Sequence, residues 1–454
     1  MQKYFLSKSL KLALPMISGR IFFVLTTFIG ILMVAQLGHT VLAASTFVSA
    51  VYSVISVVAM GILFSISPIV SQANGKKEYI LIGSVIQQAW LLGIIISIPA
   101  MWVMWHISDW LILLGQNKAL CFLARGYFHH AVFGVPAMLM MVVSNQFVSG
   151  IFKQMVGFWF IFLSFCTMTI FNYLFIFGKL GLPAFGMSGL GIAYSINYWL
   201  WICILLIFFA VHPHYQRFEL FRFRLLKNFD KLKMMFQIGW PISIHVSTEL
   251  IAVFVRVLFI GWLGVIALAA NQIVSQYDYL MIIPIYAISQ SSGILIGHSI
   301  GAKNDEHIKY FAYWNVLLGV LYVFIMIIIC ALFGTHLIKI FITGQGILVE
   351  RIAHLAWVVL FILLAGELFD AVRNVLTGSL RGMFDTRMPM LISVLGLWVI
   401  GIPLGYLFAF LFHGGLIGLV MSTNVGILAG AILIFMRWKK LLAAQTINHL
   451  MKNS

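Results

Sequence analysis

Long apolar stretches constrain the fold of this chain more than any other feature. From Leu12 to Gly75, a length sufficient for two membrane spans, the only charged side chain is Arg20. A helix needs about 20 apolar residues to cross a bilayer, where its backbone groups must be hydrogen-bonded internally. Twelve stretches of this kind lie near residues 10–34, 42–68, 83–107, 127–150, 156–176, 186–210, 236–262, 267–296, 309–333, 354–380, 388–411 and 414–437. They run continuously apolar, which excludes a transmembrane β-barrel and predicts an all-α polytopic membrane protein.

The distribution of charge predicts the orientation of the chain. Hydrophobic residues make up 62% of the sequence and charged residues 9%, so the lipid bilayer is the expected surrounding. The net charge of +16 could indicate a nucleic-acid partner. With both termini placed in the cytoplasm, however, 20 of the 28 Lys and Arg residues fall on the cytoplasmic side and five on the outer side. This is the positive-inside rule, so we expect cytoplasmic termini and no nucleic-acid partner.

The chain also contains an internal repeat. Pro15 in LALPMI corresponds to Pro241 in IGWPIS, and the same interval separates Leu37-Gly38 from Leu263-Gly264 and Gly75 from Gly301. Two further matches, at nearly the same interval, pair SGIFKQ at Ser149 with TGSLRG at Thr377, and Gly186 with Gly415. Many transporters are built from such repeats.

Six spans in each half give both halves the same orientation, which makes this a parallel repeat. The sequence therefore predicts 12 transmembrane helices in two pseudo-symmetric six-helix bundles around a central cleft. Residues 1–211 form the N-terminal lobe, 212–235 a basic cytoplasmic linker and 236–454 the C-terminal lobe. This architecture is typical of a transporter.

Four carboxylates fall inside predicted spans, all of them in the second half: Glu249, Asp278, Glu367 and Asp370. A charged side chain at the bilayer centre costs about 2.5–3.5 kcal/mol, so each needs a function or a partner. Glu367 and Asp370 are three residues apart and share a helix face with Arg373. Neighbouring carboxylates in a low dielectric need a proton, a metal ion or an arginine between them. The pattern predicts a cation-coupling site at Glu249, Asp370 and Glu367.

Two interpretations of these charges remain open. The acids could instead form structural ion pairs, Asp370 with Arg373 and Glu249 with Arg256. Asp278 is a candidate accessory residue, although an interfacial position would explain it equally well. His245 lies one helical turn before Glu249 and could share its proton or serve only as a hydrogen-bonding side chain.

Four segments resemble the multidrug and toxic-compound extrusion (MATE) family. They are GWPISIHVSTE at 239–249, LGVIALAANQI at 263–273, FDAVRNVLTGSLRGMFDTRMPM at 369–390 and NYLFIFGKLGLPAFGMSGLGIAYS at 172–195. The resemblance implies a monomeric antiporter of a bacterial inner membrane, exporting small organic cations or amphipathic drugs through a cleft between the lobes. It implies Na⁺ or H⁺ as the coupling ion and no other cofactor. Glu249 and Asp370 match the family's C-terminal-lobe acids, which makes them a candidate Na⁺ site.

One departure from the family pattern concerns the first helix. Many bacterial members carry an aspartate there, in a segment similar to FVDTVMAG, whereas this chain reads FIGILMVAQ with Gly30 at the position of the acid. Asn172 matches an asparagine of the family's fifth helix and is a candidate accessory residue. We therefore expect coupling to depend on the second half of the chain.

Three other functions can be weighed against this hypothesis. A lipid-linked precursor flippase of the same superfamily would use a cationic cleft, and Arg20, Arg256 and Arg373 keep that alternative open. A membrane-embedded enzyme would need an aligned nucleophile and base or clustered metal ligands, and the sequence contains neither pattern. A receptor or structural protein would not require the four acids of the second half.

Overall fold

The structure, a computed structural model, describes residues 2–113, 115–222, 229–341 and 346–453. Within these residues, twelve helices are long and apolar enough to cross a membrane, which confirms the predicted all-α fold. The first half contains α1 (Gln2–Ala35), α2 (His39–Gly61), α3 (Ile66–Gly75), α4 (Tyr79–Leu113), α5 (Lys118–Ala131), α6 (Val135–Gly150), α7 (Gln154–Phe177), α8 (Met187–Val211) and the short α9 (Pro213–Gln216). The second half contains α10 (Asp230–Trp262), α11 (Val265–Gly301), α12 (Asp305–Ile340), α13 (Ile347–Gly382), α14 (Arg387–Val394), α15 (Ile402–Tyr406) and α16 (Gly415–Asn453).

The internal repeat is visible in the backbone. Gly38 and Gly264, which correspond in the repeat, both precede the second long helix of their half, with φ of 118° and 96°. Gly186 and Gly415 have φ of 56° and 55°. Because side chains other than glycine are disfavoured in this region of φ, the repeat has kept glycine where the two halves turn in the same way.

One part of the sequence alignment between the halves is wrong by four residues. Helices α6 and α13 end at Gly150 and Gly382, and each is followed two residues later by a phenylalanine, Phe152 or Phe384, with φ of 62°. The backbone therefore pairs Gly150 with Gly382, whereas matching SGIFKQ with TGSLRG pairs it with Gly378. A shift of four residues is about one helical turn, so it leaves similar residues on the same helix face and sequence similarity alone does not expose it.

Two compact units share the chain, and α1 and α10 each contribute to both. One unit is Leu14–Ser243, and the other combines Met1–Ala13 with Ile244–Ser454. Accordingly, Ser243 donates a hydrogen bond from Oγ to the carbonyl of Val58, 3.0 Å away in the first unit. Helix α10 continues through Pro241 and crosses the boundary between the units at Ser243. Its second part, which carries Glu249, belongs to the second unit.

The described part of the linker is held against the first unit. The Nε2 of Gln87, on α4, donates to the backbone carbonyls of Glu219, Leu220 and Arg222 at 2.8–3.1 Å. Residues 223–228 of the predicted linker lie outside the described residues.

Glycines bring α11 and α13 close together in the second unit. An added Cβ on Gly378 would lie 2.0 Å from the backbone oxygen of Ser289, and one on Gly382 would lie 2.4 Å from that of Gly293. No side chain fits in so small a gap, so these positions let the two backbones touch. This contact holds the acid-bearing faces of α11 and α13 beside one cavity.

Candidate cation-coupling site

The second unit contains a cavity of about 140 Å³. It is lined by α10, α11, α13, α15, α16 and the segment between α14 and α15. All four predicted acids line it: Glu249, Asp278, Glu367 and Asp370. Arg256 and Arg373 line it as well. The helices thus bring together side chains that are distant in the sequence, such as Glu249 and Arg373.

Arg373 bridges two of these acids. Its Nη2 lies 2.8 Å from Oε1 of Glu249 and 2.7 Å from Oδ1 of Asp370, and its Nε also donates to Oδ1 of Asp370 at 2.8 Å. The side chains of Arg373, Glu249 and Asp370 are 8%, 15% and 3% exposed, respectively, so the bridge is almost completely shielded from solvent. Of the two structural ion pairs considered from the sequence, Asp370 with Arg373 is present, whereas Glu249 pairs with Arg373 in place of Arg256.

The remaining oxygens of this bridge also have donors. Asn374 donates from Nδ2 to Oδ2 of Asp370 at 2.6 Å, and the hydroxyl of Tyr286 lies 3.4 Å from Oε2 of Glu249. Every carboxylate oxygen of Glu249 and Asp370 therefore faces a donor. A Na⁺ ion held by these two acids would have to displace Arg373, because the guanidinium occupies the space between them.

His245 connects this bridge to a second arginine. Its Nδ1 lies 2.6 Å from Nη2 of Arg381, and its Nε2 lies 3.5 Å from Oε1 of Glu249. Arginine can only donate, so Nδ1 of His245 is the acceptor and the ring proton lies on Nε2, facing Glu249. The imidazole is 3% exposed. His245 thus links Arg381 to Glu249.

Glu367 and Asp278 take no part in the bridge. Glu367 is 5% exposed, and its Oε2 has no hydrogen-bond donor among the described residues. The carboxyl groups of Glu367 and Asp278 line the same cavity and act electrostatically on each other. Arg256, on α10, acts electrostatically on Asp278, while its own buried Nε lacks an acceptor in the described part of the chain. The cavity therefore contains two acid pairs with different surroundings.

The cavity does not resemble a multivalent metal centre. No cluster of three or more His, Cys, Asp or Glu side chains in the described ranges is arranged to hold a metal ion. The neutral oxygen-bearing side chains on its wall, Ser422, Thr423 and Asn424, come from α16. Paired carboxylates with neutral oxygens suit a proton or a hard cation.

Several contributors to the site were not identified from the sequence. Three of them contact the acids or His245 directly: Tyr286, Asn374 and Arg381. No sequence pattern distinguishes these three from the other polar residues of the spans. The backbone between α14 and α15 is π-helical from Leu395 to Gly401, and a second π-helical segment spans Leu407–Leu411. Such segments are frequent at functional sites. The glycines and the proline of LGLWVIGIPLGY are the sequence feature that could have indicated an irregular helix here.

In the first unit, Gly30, which marks the departure from the family pattern, lies beside Asn172, which matches that pattern. A Cβ on Gly30 would lie 3.5 Å from Nδ2 of Asn172, which is buried and has an Oδ1 without a donor among the described residues. The repeat counterpart of Asp278 is Tyr52, and that of Asp370 is Met138. The hydroxyl of Tyr52 lies 3.1 Å from Sδ of Met138, and that of Tyr194 lies 2.9 Å from it.

Comparison with known proteins agrees with this architecture. The family model MatE matches residues 15–174 and 241–407, one segment in each half. A probable multidrug resistance protein NorM of Mesorhizobium japonicum is 26% identical over 95% of this chain and 92% of its own length. The multidrug resistance protein MdtK of Pectobacterium atrosepticum is 29% identical over 77% of this chain and 76% of its own.

Solved structures share the fold. The crystal structure described as MATE in the bent conformation has a TM-score of 0.89 at 16% identity, and the alignment covers 99% of each chain. Because the family model covers well over half of the residues, in two segments that begin at the repeated prolines Pro15 and Pro241, the chain belongs to the MatE family of membrane transporters.

Proposed function

We propose that this protein is a cation-coupled antiporter that exports organic cations and amphipathic drugs from a bacterial cell. The observation that carries the proposal is the cluster of four carboxylates and two arginines around one cavity of the second unit. Buried acids in a transporter span mark ion pathways or coupling sites. Relatives named as multidrug resistance proteins favour drugs as the substrate class over lipid-linked precursors.

The arrangement supports coupling through exchange of partners. Glu249 and Asp370 share one guanidinium, so a proton or Na⁺ that binds either acid competes with Arg373 for it. An ion can shift a conformational equilibrium only if it binds one state more tightly than the other. Release of Arg373 on cation binding would supply that difference. In this proposal Glu367 contributes further negative charge. The cation affinity of the site is adjusted by three accessory residues, Asp278, His245 and Arg256.

The finer features of the proposal rest on the sequence. The excess of Lys and Arg in alternate connections supports an inner-membrane protein with both termini in the cytoplasm. We propose that one chain suffices for transport, because the acids of the cavity all come from the same unit. The coupling ion is Na⁺ or H⁺, and no other cofactor is invoked.

Transport by purified protein in liposomes tests the proposal. Uptake of a fluorescent organic cation such as ethidium is measured with either a Na⁺ gradient or a pH gradient imposed. Wild type should transport under at least one gradient, and Glu249→Gln and Asp370→Asn should lose gradient-driven transport. Glu350→Gln, which changes a carboxylate in the first turn of α13, the helix that also carries Asp370, is the matched control and should behave as wild type.

Two results would contradict the assignment. Unchanged transport by Glu249→Gln and Asp370→Asn would remove these residues from coupling. No transport of organic cations by folded wild type under either gradient would remove the proposed function itself.

A further inference from the structure

The first unit carries a cluster of basic side chains where two of its membrane-spanning helices end. Lys153 directly precedes α7, and His212 directly follows α8. The backbone N–H of His214 donates to Nδ1 of His212 at 3.2 Å, and Nη2 of Arg217 donates to Nε2 of His214 at 3.2 Å. Lys153 acts electrostatically on His214. Because α7 and α8 are both long and apolar enough to cross the membrane, this basic cluster lies where the bilayer meets water.

Aromatic rings hold the guanidinium of Arg217 in a fixed orientation. Its Cζ lies 4.5 Å from the centre of the Tyr79 ring and 4.8 Å from that of the Phe218 ring. Phe218 is itself held against α4, since a Cβ on Gly83 would lie 1.8 Å from its carbonyl oxygen. Stacking on rings leaves the N–H groups in the guanidinium plane free to donate. A guanidinium held in this way can bind a phosphate through two parallel hydrogen bonds and loses little side-chain freedom in doing so.

The positive charge of the basic cluster is not neutralised by an acid. In the part of the chain that the structure describes, neither Lys153 nor Arg217 forms an ion pair with a carboxylate. The acid nearest to Arg217 along the chain, Glu219, pairs with Arg222 at 2.6 Å. The pKa of His214 is lowered, first by burial and then by the positive charges of Arg217 and Lys153. An anion that binds at this place therefore meets uncompensated cations.

The corresponding place in the second unit contains an acid. Phe152 and Phe384, both with φ of 62°, correspond in the repeat, so Lys153 corresponds to Asp385. Asp385 accepts a hydrogen bond from Nε of Arg437, on α16, at 2.7 Å. The second unit thus neutralises its own arginine at this position. The first unit has a lysine in place of that acid, which leaves an excess of positive charge at the ends of α7 and α8.

An apolar seam between α7 and α8 leads to the basic cluster. Phe160 on α7 and Phe208 on α8 pack with their ring centroids 5.6 Å apart, and both side chains are partly exposed. The ring of Phe208 lies 5.2 Å from that of His212. Met155, in the first turn of α7, and Val211, in the last turn of α8, are exposed. A phosphate bound at the cluster would have this apolar surface beside it, which suits a lipid better than a soluble phosphate.

We propose that the basic cluster binds the phosphate group of one anionic phospholipid, whose acyl chains lie along the seam between α7 and α8. Arg217 donates to the phosphate from its guanidinium plane, Lys153 adds a second positive charge, and His214 keeps Arg217 in place. Basic pockets between membrane helices, at the bilayer surface, suit anionic headgroups in this way. The inference concerns the lipid-facing surface of the first unit, so it does not depend on the proposed antiport.

Lipid binding to the purified full-length protein tests the inference. The protein in detergent is titrated with phosphatidylglycerol and, separately, with phosphatidylcholine of the same acyl chains, and bound lipids are counted by native mass spectrometry. Wild type should bind one phosphatidylglycerol more tightly than any phosphatidylcholine. Lys153→Gln and Arg217→Gln should each weaken this binding about five-fold. Lys118→Gln, which removes a lysine from the start of α5 in the same unit, is the matched control and should bind as wild type.

Three results would overturn the inference. Equal binding of the two lipids by wild type would mean that the seam makes only general lipid contacts. An equal loss in Lys118→Gln would mean that binding follows the net charge of the protein and not the basic cluster. Inorganic phosphate that binds at the cluster as tightly as phosphatidylglycerol would identify a soluble phosphate as the occupant. Lys153 is exposed, so Lys153→Gln keeps the test decisive if Arg217→Gln proves unstable.

Discussion

Replacing Arg373 by glutamine removes the cation that holds Glu249 and Asp370 together. The guanidinium contacts the two acids at 2.8 and 2.7 Å, and all three side chains are at most 15% exposed. Removing one partner of a buried ion pair typically costs about 3–5 kcal/mol, against about 0–1 kcal/mol for an exposed pair. Because Glu249 is 15% exposed and lines the cavity, we expect the cost for Arg373→Gln at the lower end of this range, about 3 kcal/mol.

The cost should depend on cations. In Arg373→Gln the two acids repel each other when both are ionised, so the variant should be least stable at alkaline pH without Na⁺. Acidification removes the uncompensated charge, and a bound Na⁺ would replace the lost guanidinium. Thermal unfolding of the detergent-purified variant, with and without Na⁺ at alkaline and mildly acidic pH, measures both effects.

A second ion pair of the same unit provides the control. Arg437 contacts Asp385 at 2.7 Å, but these side chains are 28% and 13% exposed and lie outside the cavity lining. Arg437→Gln should cost less, and Na⁺ should not rescue it. The reasoning fails if Arg373→Gln unfolds at the wild-type temperature in alkaline buffer without Na⁺, or if Na⁺ stabilises both variants equally.

Three further changes have defined outcomes. His245→Phe should destabilise the protein by about 1–3 kcal/mol, because Arg381 loses its acceptor, whereas His245→Gln should restore most of that loss in unfolding experiments. Gly30→Asp should cost about 2.5–3.5 kcal/mol at alkaline pH and introduce a Na⁺- or acid-dependent stabilisation beside Asn172, which Gly30→Asn should lack. Gly378→Ala should cost at least about 1–3 kcal/mol in the same assay, because its Cβ would lie 2.0 Å from a backbone oxygen of α11.

The membrane-spanning helices could be predicted from the sequence because a helix surrounded by lipid must be apolar over its whole length. The sequence was also sufficient to select the acids, since a carboxylate in an apolar span stands out: Glu249, Asp278, Glu367 and Asp370 all line the one cavity. Pairing was harder to predict. Arg256 lies two helical turns from Glu249 on the same helix, yet the arginine that binds Glu249 is Arg373, from another helix.

That choice depends on helix packing, which no local pattern records. The guanidinium reaches Glu249 because α10 and α13 both border the cavity, and α13 is positioned by its backbone contact with α11 at Gly378. The π-helical turns from Leu395 to Gly401 were missed for a similar reason. The hydrogen-bonding pattern of these turns depends on how the neighbouring helices pack against them. The glycines in the sequence indicate only that the backbone there is conformationally permissive.

The two halves show how a duplicated backbone can support different chemistry. Glycines that set turns and helix contacts recur in both halves, whereas the residues at the site have diverged: Asp278 corresponds to Tyr52, and Asp370 to Met138. In the first unit the hydroxyls of Tyr52 and Tyr194 both donate to the sulfur of Met138, at 3.1 and 2.9 Å. The polar groups at these positions are therefore hydrogen-bonded to one another. In the second unit the equivalent positions carry charge and face a cavity. In the proposed antiport a cation would therefore bind carboxylates of the second half, and binding that is tighter in one conformation than in another would shift the conformational equilibrium.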